Sequence, residues 1–155
     1  MKYILIGGAP NVGKTGAIYR LAIHLKNNGF KDDSRPVPEK RGDFYTILEG
    51  KDRNGENIRI AVNSQTDDED IIKKFKTFLD EQENISIVIS SIRDGDFPPD
   101  YSLRSYFFKI FNIAEGDIEV PLAKIIRKRK NKEKAVKWYE CKIDKLLIKL
   151  LESYL

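Results

Sequence analysis

The chain has 155 residues, 41% of them hydrophobic and 34% charged, which fits one globular domain with a substantial core and excludes a disordered or fibrous chain. No apolar run approaches the roughly 18 residues a membrane span needs, and the run Tyr3–Ile6 is too short for a secretory leader. One cysteine, Cys141, and one histidine, His24, rule out an internal disulfide and argue against a clustered zinc site, so a cytoplasmic protein is expected.

In chain order, Tyr3-Ile4-Leu5-Ile6 ends at Gly7-Gly8 and reads as a strand buried on both faces. A helix is predicted from about Lys14, with Ile18, Leu21, Ala22 and Leu25 on one face and Asn28-Gly29 as its stop. Residues 30–42 are polar, contain Pro36 and Pro38, and read as a surface loop. Residues 44–48 and 58–62 read as an antiparallel hairpin turning through Asn54-Gly55, with positive φ at both turn positions.

Thr66 with Glu69 three residues on predicts a capping box for a helix whose face is Ile71, Phe75, Phe78 and Leu79. Residues 85–89 read as a second buried strand. Pro98-Pro99 breaks the chain, and Asp100 caps a helix that presents Leu103, Phe107, Ile110, Phe111 and Ala114 and stops at Gly116. A short strand within 118–126 is expected to be interrupted or ended at Pro121, and a long helix from about Asn131 packs through Trp138, Leu146, Leu147, Leu150, Leu151 and Tyr154. This order predicts a three-layer α/β fold: a mostly parallel sheet with one antiparallel hairpin strand and helices on both sides. Ligands of such sheets bind at the carboxyl ends of the strands.

The segment Gly8-Ala9-Pro10-Asn11-Val12-Gly13-Lys14-Thr15 matches G-x-x-x-x-G-K-T, the Walker A or P-loop pattern, without a mismatch. It follows a buried strand and precedes a helix, the setting in which consecutive backbone amides turn inward around a phosphate. Gly8 and Gly13 permit the turn, Lys14 reaches the β- and γ-phosphate oxygens, and the Thr15 hydroxyl completes a Mg²⁺ shell. Gly16 adds an amide at the helix start, where the dipole favours anions. The expectation is a single nucleotide-binding domain over residues 1–155 that takes ATP or GTP with magnesium, with Lys14 also acting in catalysis.

The string Gly8–Thr15 resembles the first motif of the translation-factor-related GTPases, in which P-N-V-G-K-S is common, and the hairpin after the first helix resembles the GTPase element order. The resemblance implies Lys14 as the phosphate lysine and Thr15 as the magnesium ligand. The later motifs of that family are absent. No D-x-x-G stands in Asn63–Asp68, and no N-K-x-D lies within Val120–Lys128, so the base is left open.

Asp67, after the second hairpin strand, is the candidate for a second metal-shell acid, with Asp68 next; both also suit a helix N-terminus. Arg93, after the strand of residues 85–89, is a candidate for stabilising transferred phosphate charge, although Asp94-Gly95 beside it is turn chemistry. Thr46 and Ser34 are candidates for a nucleotide-sensing hydroxyl, and residues 31–43 are where a sensing loop would sit.

Between Leu122 and Lys134 stand seven basic residues and one acidic one, a local net of +6 within a chain total of +4. The run Arg127-Lys128-Arg129-Lys130 reads first as solvated surface, second as a contact for nucleic acid or another polyanion, and third as a phosphate-gripping lid. It lacks the interleaved aromatics of single-strand binders. A small NTPase or nucleotide switch leads. A kinase for a small molecule, with Arg93, Arg104 or the basic run near the γ-phosphate, and a non-hydrolysing nucleotide module are the alternatives.

Overall fold

The alternation of apolar side chains across one central strand sets the architecture. In a computed structural model, which describes residues 1–93, 103–113, 118–126 and 129–155, strand β1 (Lys2–Gly8) sends Ile4 and Ile6 to one side and Tyr3 and Leu5 to the other, all of them buried. Successive residues of a strand point to opposite faces, so a continuous apolar run requires cover on both. That cover is present. Helices α1 (Lys14–Asn27) and α4 (Arg129–Glu152) close the Ile4/Ile6 side. Helices α2 (Glu69–Asp80) and α3 (Leu103–Phe111) close the Tyr3/Leu5 side.

The remaining strands are β2 (Lys31–Asp32), β3 (Tyr45–Lys51), β4 (Asn57–Asn63), β5 (Ile85–Arg93) and β6 (Ile118–Pro121), in the sheet order β2-β3-β4-β5-β1-β6. Strands β4, β5, β1 and β6 are parallel; β3 is antiparallel to both β4 and β2, so among the described residues it alone runs against the rest. The expected α/β sheet, mostly parallel and with an antiparallel hairpin, is therefore present. One feature differs: the segment read as a loop carries β2 at its start. Strand β5 separates β4 from β1, an adjacency that the order of elements along the chain leaves open.

The α2/α3 layer is aromatic. The Phe107 and Phe111 rings lie 4.2 Å apart, and Phe111 sits 5.6 Å from Phe75. Each fully buried ring of this kind is worth roughly 1.5–3 kcal/mol in transfer free energy. On the other side, Ile18, Leu21, Ala22 and Leu25 are buried as their spacing predicts, and Leu147 and Leu151 of α4 meet them. Arg20 of α1 adds ion pairs to Glu140 at 3.2 Å and Asp144 at 2.8 Å on α4.

Several local expectations are corrected. The cap of α2 is Asp68, whose Oδ1 accepts from the Ile71 amide at 2.8 Å, so Thr66 caps nothing and instead lies buried with its hydroxyl 3.3 Å from that of Ser91. The inner face keeps Phe75, Phe78 and Leu79 as expected, but Ile72, three residues before Phe75, rather than Ile71 is the fully buried isoleucine. In the hairpin loop only Gly55 has positive φ. Asp52 organises this longer turn by accepting from the amides of Asn54 and Glu56. Helix α3 stops at Asn112, with φ 51°, ahead of the expected Gly116. Trp138 and Leu146, expected to pack, are 63% and 51% exposed. Pro98, Pro99, Asp100, Ala114 and Gly116 lie outside the described residues.

Candidate functional site

Three positive-φ residues bend the chain between β1 and α1: Gly8 at 135°, Asn11 at 63° and Gly13 at 103°. Glycine adopts these angles without a steric penalty, and asparagine is among the few other residues that tolerate the left-handed region. Gly8 is doubly constrained. A Cβ there would stand 2.8 Å from the Leu122 carbonyl oxygen and 2.9 Å from Val12 Cγ2. The close approach of residue 122 follows from pairing of β6 to β1, which Leu122 extends by donating its amide to Gly7 O at 2.9 Å. Ala9 and Pro10 complete the outer arc of the loop.

Helix α1 begins at Lys14 with no side-chain cap. Ala17 N–H donates to Gly13 O at 2.9 Å, so the amides of Thr15 and Gly16, just before it in the first turn, belong to the open donors of a helix start. An uncapped N-terminus with the positive end of the dipole behind it suits an anion. Lys14 folds back over the loop, its Nζ donating to Gly8 O at 2.5 Å and to Ala9 O at 2.9 Å. That holds a cation directly above the loop.

Thr15 points into the same space. Its hydroxyl donates to Ser64 O at 3.3 Å and lies 3.4 Å from Asp43 Oδ1. Asp43 comes from the polar stretch before β3 and is fixed by its neighbour. The Phe44 amide donates to Ser64 Oγ at 2.8 Å, and Phe44 O accepts from Ser64 N at 2.9 Å. A cleft of about 260 Å³ joins the loop to Arg41, Asp43 and Asp67 at the carboxyl end of the sheet. Arg41 lies over Gly16, where a Cβ would meet its Cζ at 2.7 Å.

The two acids differ in what holds them. Asp67, the acid singled out from sequence, is paired with Arg93 through Nη1 at 3.3 Å. Arg93 is in register with Gly8 on the adjacent strands, and its Nε is buried without a hydrogen-bond partner among the described residues. Asp43 was not singled out, yet it is the carboxylate facing the Thr15 hydroxyl. Its only sequence signal was the polar loop beside a candidate site. The same holds for Arg41. Among the described residues no three His, Cys, Asp or Glu side chains cluster as a metal cage. A hydroxyl plus one or two carboxylates is a hard, all-oxygen donor set, fit for Mg²⁺ that takes its other ligands from phosphates and water.

Other candidates do not reach the cleft. Thr46 is buried, with its hydroxyl donating to Arg35 O, and Ser34 Oγ accepts from the Ile47 amide at 3.1 Å. Both hydroxyls secure the loop before β3 instead of facing the glycine loop. Arg104 is held by Glu119 of β6, at 2.6 Å through Nη1. His24 sits on α1 beside Asn28, and Cys141 is exposed. Arg127 and Lys128 lie outside the described residues; Arg129 and Lys130 open α4.

A second cleft, about 320 Å³, adjoins the first across Asn11–Gly13 and Arg41. Its far wall is residues 122–125 and the face of α4 that carries Lys132, Val136 and Tyr139. The Tyr139 hydroxyl accepts from the Ala123 amide at 2.7 Å, tying the two walls together. No helix among the described residues is long and apolar enough to cross a membrane. Compared with known proteins, the chain matches no family model, no curated protein and no solved structure.

Proposed function

We propose that the chain binds a magnesium nucleoside triphosphate at the Gly8–Thr15 loop and works as a small NTPase or nucleotide switch. One observation carries the reading: a perfect G-x-x-x-x-G-K-T segment coincides with three positive-φ residues, an uncapped helix start and a lysine held over the loop. Each part has a chemical task in this reading. The loop amides and the helix start hold the β-phosphate. Lys14 exchanges its carbonyl partners for β- and γ-phosphate oxygens. Thr15 and Asp43 supply oxygens to Mg²⁺, which neutralises charge on the phosphates. Arg41 stands where charge accumulates during attack by water on the γ-phosphorus, which yields the diphosphate and inorganic phosphate. The cleft between residues 122–125 and α4 is the space for ribose and base.

A second reading, a nucleotide-binding module without turnover, is favoured by a separate observation. Strand β4 ends at Asn63, and β5 carries Ser90 and Ser91 close to its carboxyl end at Arg93; the Asn63 Nδ2–Ser90 Oγ bond at 3.0 Å links the two strands where an acid would aid metal and water. Calorimetry with Mg-ATP and Mg-GTP on the wild type and Lys14→Ala tests binding. Diphosphate and inorganic phosphate are measured together, with and without a panel of small-molecule acceptors: hydrolysis yields both, transfer yields diphosphate without phosphate, and mere binding yields neither. Equal affinity in wild type and Lys14→Ala would end the nucleotide reading.

A further inference from the structure

The outer face of α4 takes no part in the glycine-loop site and is uncovered. At its middle stands Trp138, the chain's single tryptophan, 63% exposed. At 100° per residue, Lys134, Lys142, Lys145 and Lys149 all lie within about 40° of the Trp138 direction. All four are exposed, and among the described residues none forms an ion pair. The arrangement is one-sided for a reason visible in the packing. Glu140 and Asp144 point toward α1, where Arg20 binds both. Glu152, at the C-terminal end, is the carboxylate that shares the lysine face. The row from Lys134 to Lys149 spans about 22 Å at 1.5 Å per residue, long enough to face several consecutive phosphates.

An exposed flat indole within a row of lysines pairs a stacking platform with phosphate neutralisation, the two elements of single-strand recognition. The basic run Arg127–Lys130 lacks an aromatic, but α4 supplies one two turns on. A membrane surface fits less well. Docking on lipid needs a broad apolar face, and the apolar face of α4 is spent on the core through Leu147 and Leu151. Among the described residues this leaves only the isolated Leu146, about two turns from Trp138, as a further large exposed apolar side chain on this helix. A duplex fits less well too, because its bases are already stacked and offer Trp138 no ring face.

We propose that the outer face of α4 binds single-stranded nucleic acid, with a base stacked on Trp138 and phosphates held by Lys134, Lys142, Lys145 and Lys149. This inference is independent of nucleotide binding at the glycine loop. Because Trp138 is the sole tryptophan, its fluorescence reports the contact directly. The 155-residue chain is titrated with an oligothymidylate of roughly 16 nucleotides, a length that covers the site sizes of common single-strand binders. The expected result is quenching of Trp138, with a log–log salt slope near −2 to −3, since three to four contacts each contribute about −0.7. By anisotropy of a labelled oligonucleotide, Trp138→Ala weakens binding roughly tenfold. The double variant Lys142→Glu, Lys145→Glu flattens the salt slope, and Lys14→Ala changes neither readout. Matched far-ultraviolet circular dichroism and melting curves establish that these surface variants remain folded. Absence of quenching at low salt, undiminished binding by Trp138→Ala, loss of binding in Lys14→Ala, equal or tighter binding of duplex, or a Trp138 blue shift on phosphatidylserine vesicles without any oligonucleotide effect would each overturn the proposal.

Discussion

Gly8 and Gly13 bracket the glycine loop, yet their substitution has different consequences. Both have positive φ, so alanine at either strains the backbone by about 1–3 kcal/mol. Only at Gly8 does the new Cβ also strike a backbone atom, the Leu122 carbonyl; at Gly13 nothing lies within 4 Å. Gly8→Ala is therefore expected to lower the urea midpoint further than Gly13→Ala, and equal midpoints would refute the close approach of β6 to the loop. Lys14→Ala is expected to weaken Mg-NTP binding by at least about 2 kcal/mol, the scale of a charge-assisted hydrogen bond removed from a desolvated site, as read by calorimetry. The acids divide by their partners. Asp43→Asn should raise the Mg²⁺ concentration needed for half-maximal nucleotide binding more than Asp67→Asn does, because the Asp67 carboxylate is already engaged by Arg93. The reverse order in a Mg²⁺ titration would return the metal role to Asp67.

At the scale of elements, α2 shows how two valid local signals compete. Thr66 with Glu69 satisfies a capping box, and Asp68 satisfies a simple N-cap. Packing decides between them. Thr66 is drawn under the sheet end toward Ser91, and Asp68 is left at the helix mouth. Asp68→Ala is expected to cost about 1 kcal/mol, or roughly 2–4 °C in Tm for a chain of this size. A melting temperature unchanged by that substitution would contradict the observed cap. Helix α4 teaches a related lesson. Its sequence offers more apolar positions than the core uses, and the face that turns inward is chosen by α1, whose Arg20 grips Glu140 and Asp144. Trp138 is left outside as a result.

For the whole molecule, the sheet order governs which residues meet at the cleft. Strand β5 lies between β4 and β1, so the strand end beside the glycine loop is Ser90–Arg93, and Asp67 reaches the cleft from one strand further out. Among the described residues the neighbouring cleft is lined by one acid, Glu140, which Arg20 already engages, and one amide residue, Asn11 of the glycine loop itself, so no free acid and amide set is placed to read guanine. A site built to hydrogen-bond one base rejects the other strongly, and this cleft has no such set. Competition binding is therefore expected to find little discrimination between ATP and GTP, and a preference of roughly a thousandfold for either base would contradict this account of the cleft.

The glycine loop, the helix after it, the two-faced strand β1 and the hairpin were legible from residues alone, because each rests on local rules: spacing, backbone permissiveness and apolar periodicity. Their contacts were not. Asp43 meets Thr15 across 28 positions of chain, and Arg41 covers Gly16 across 25. Nothing local to either residue encodes that meeting. Strand order, the inward face of α4 and the carboxylate that faces the Thr15 hydroxyl are settled by which surfaces pack, a sum over distant contacts that no short window of sequence contains. The sequence determined the loop and its lysine; the tertiary structure alone decided their neighbours.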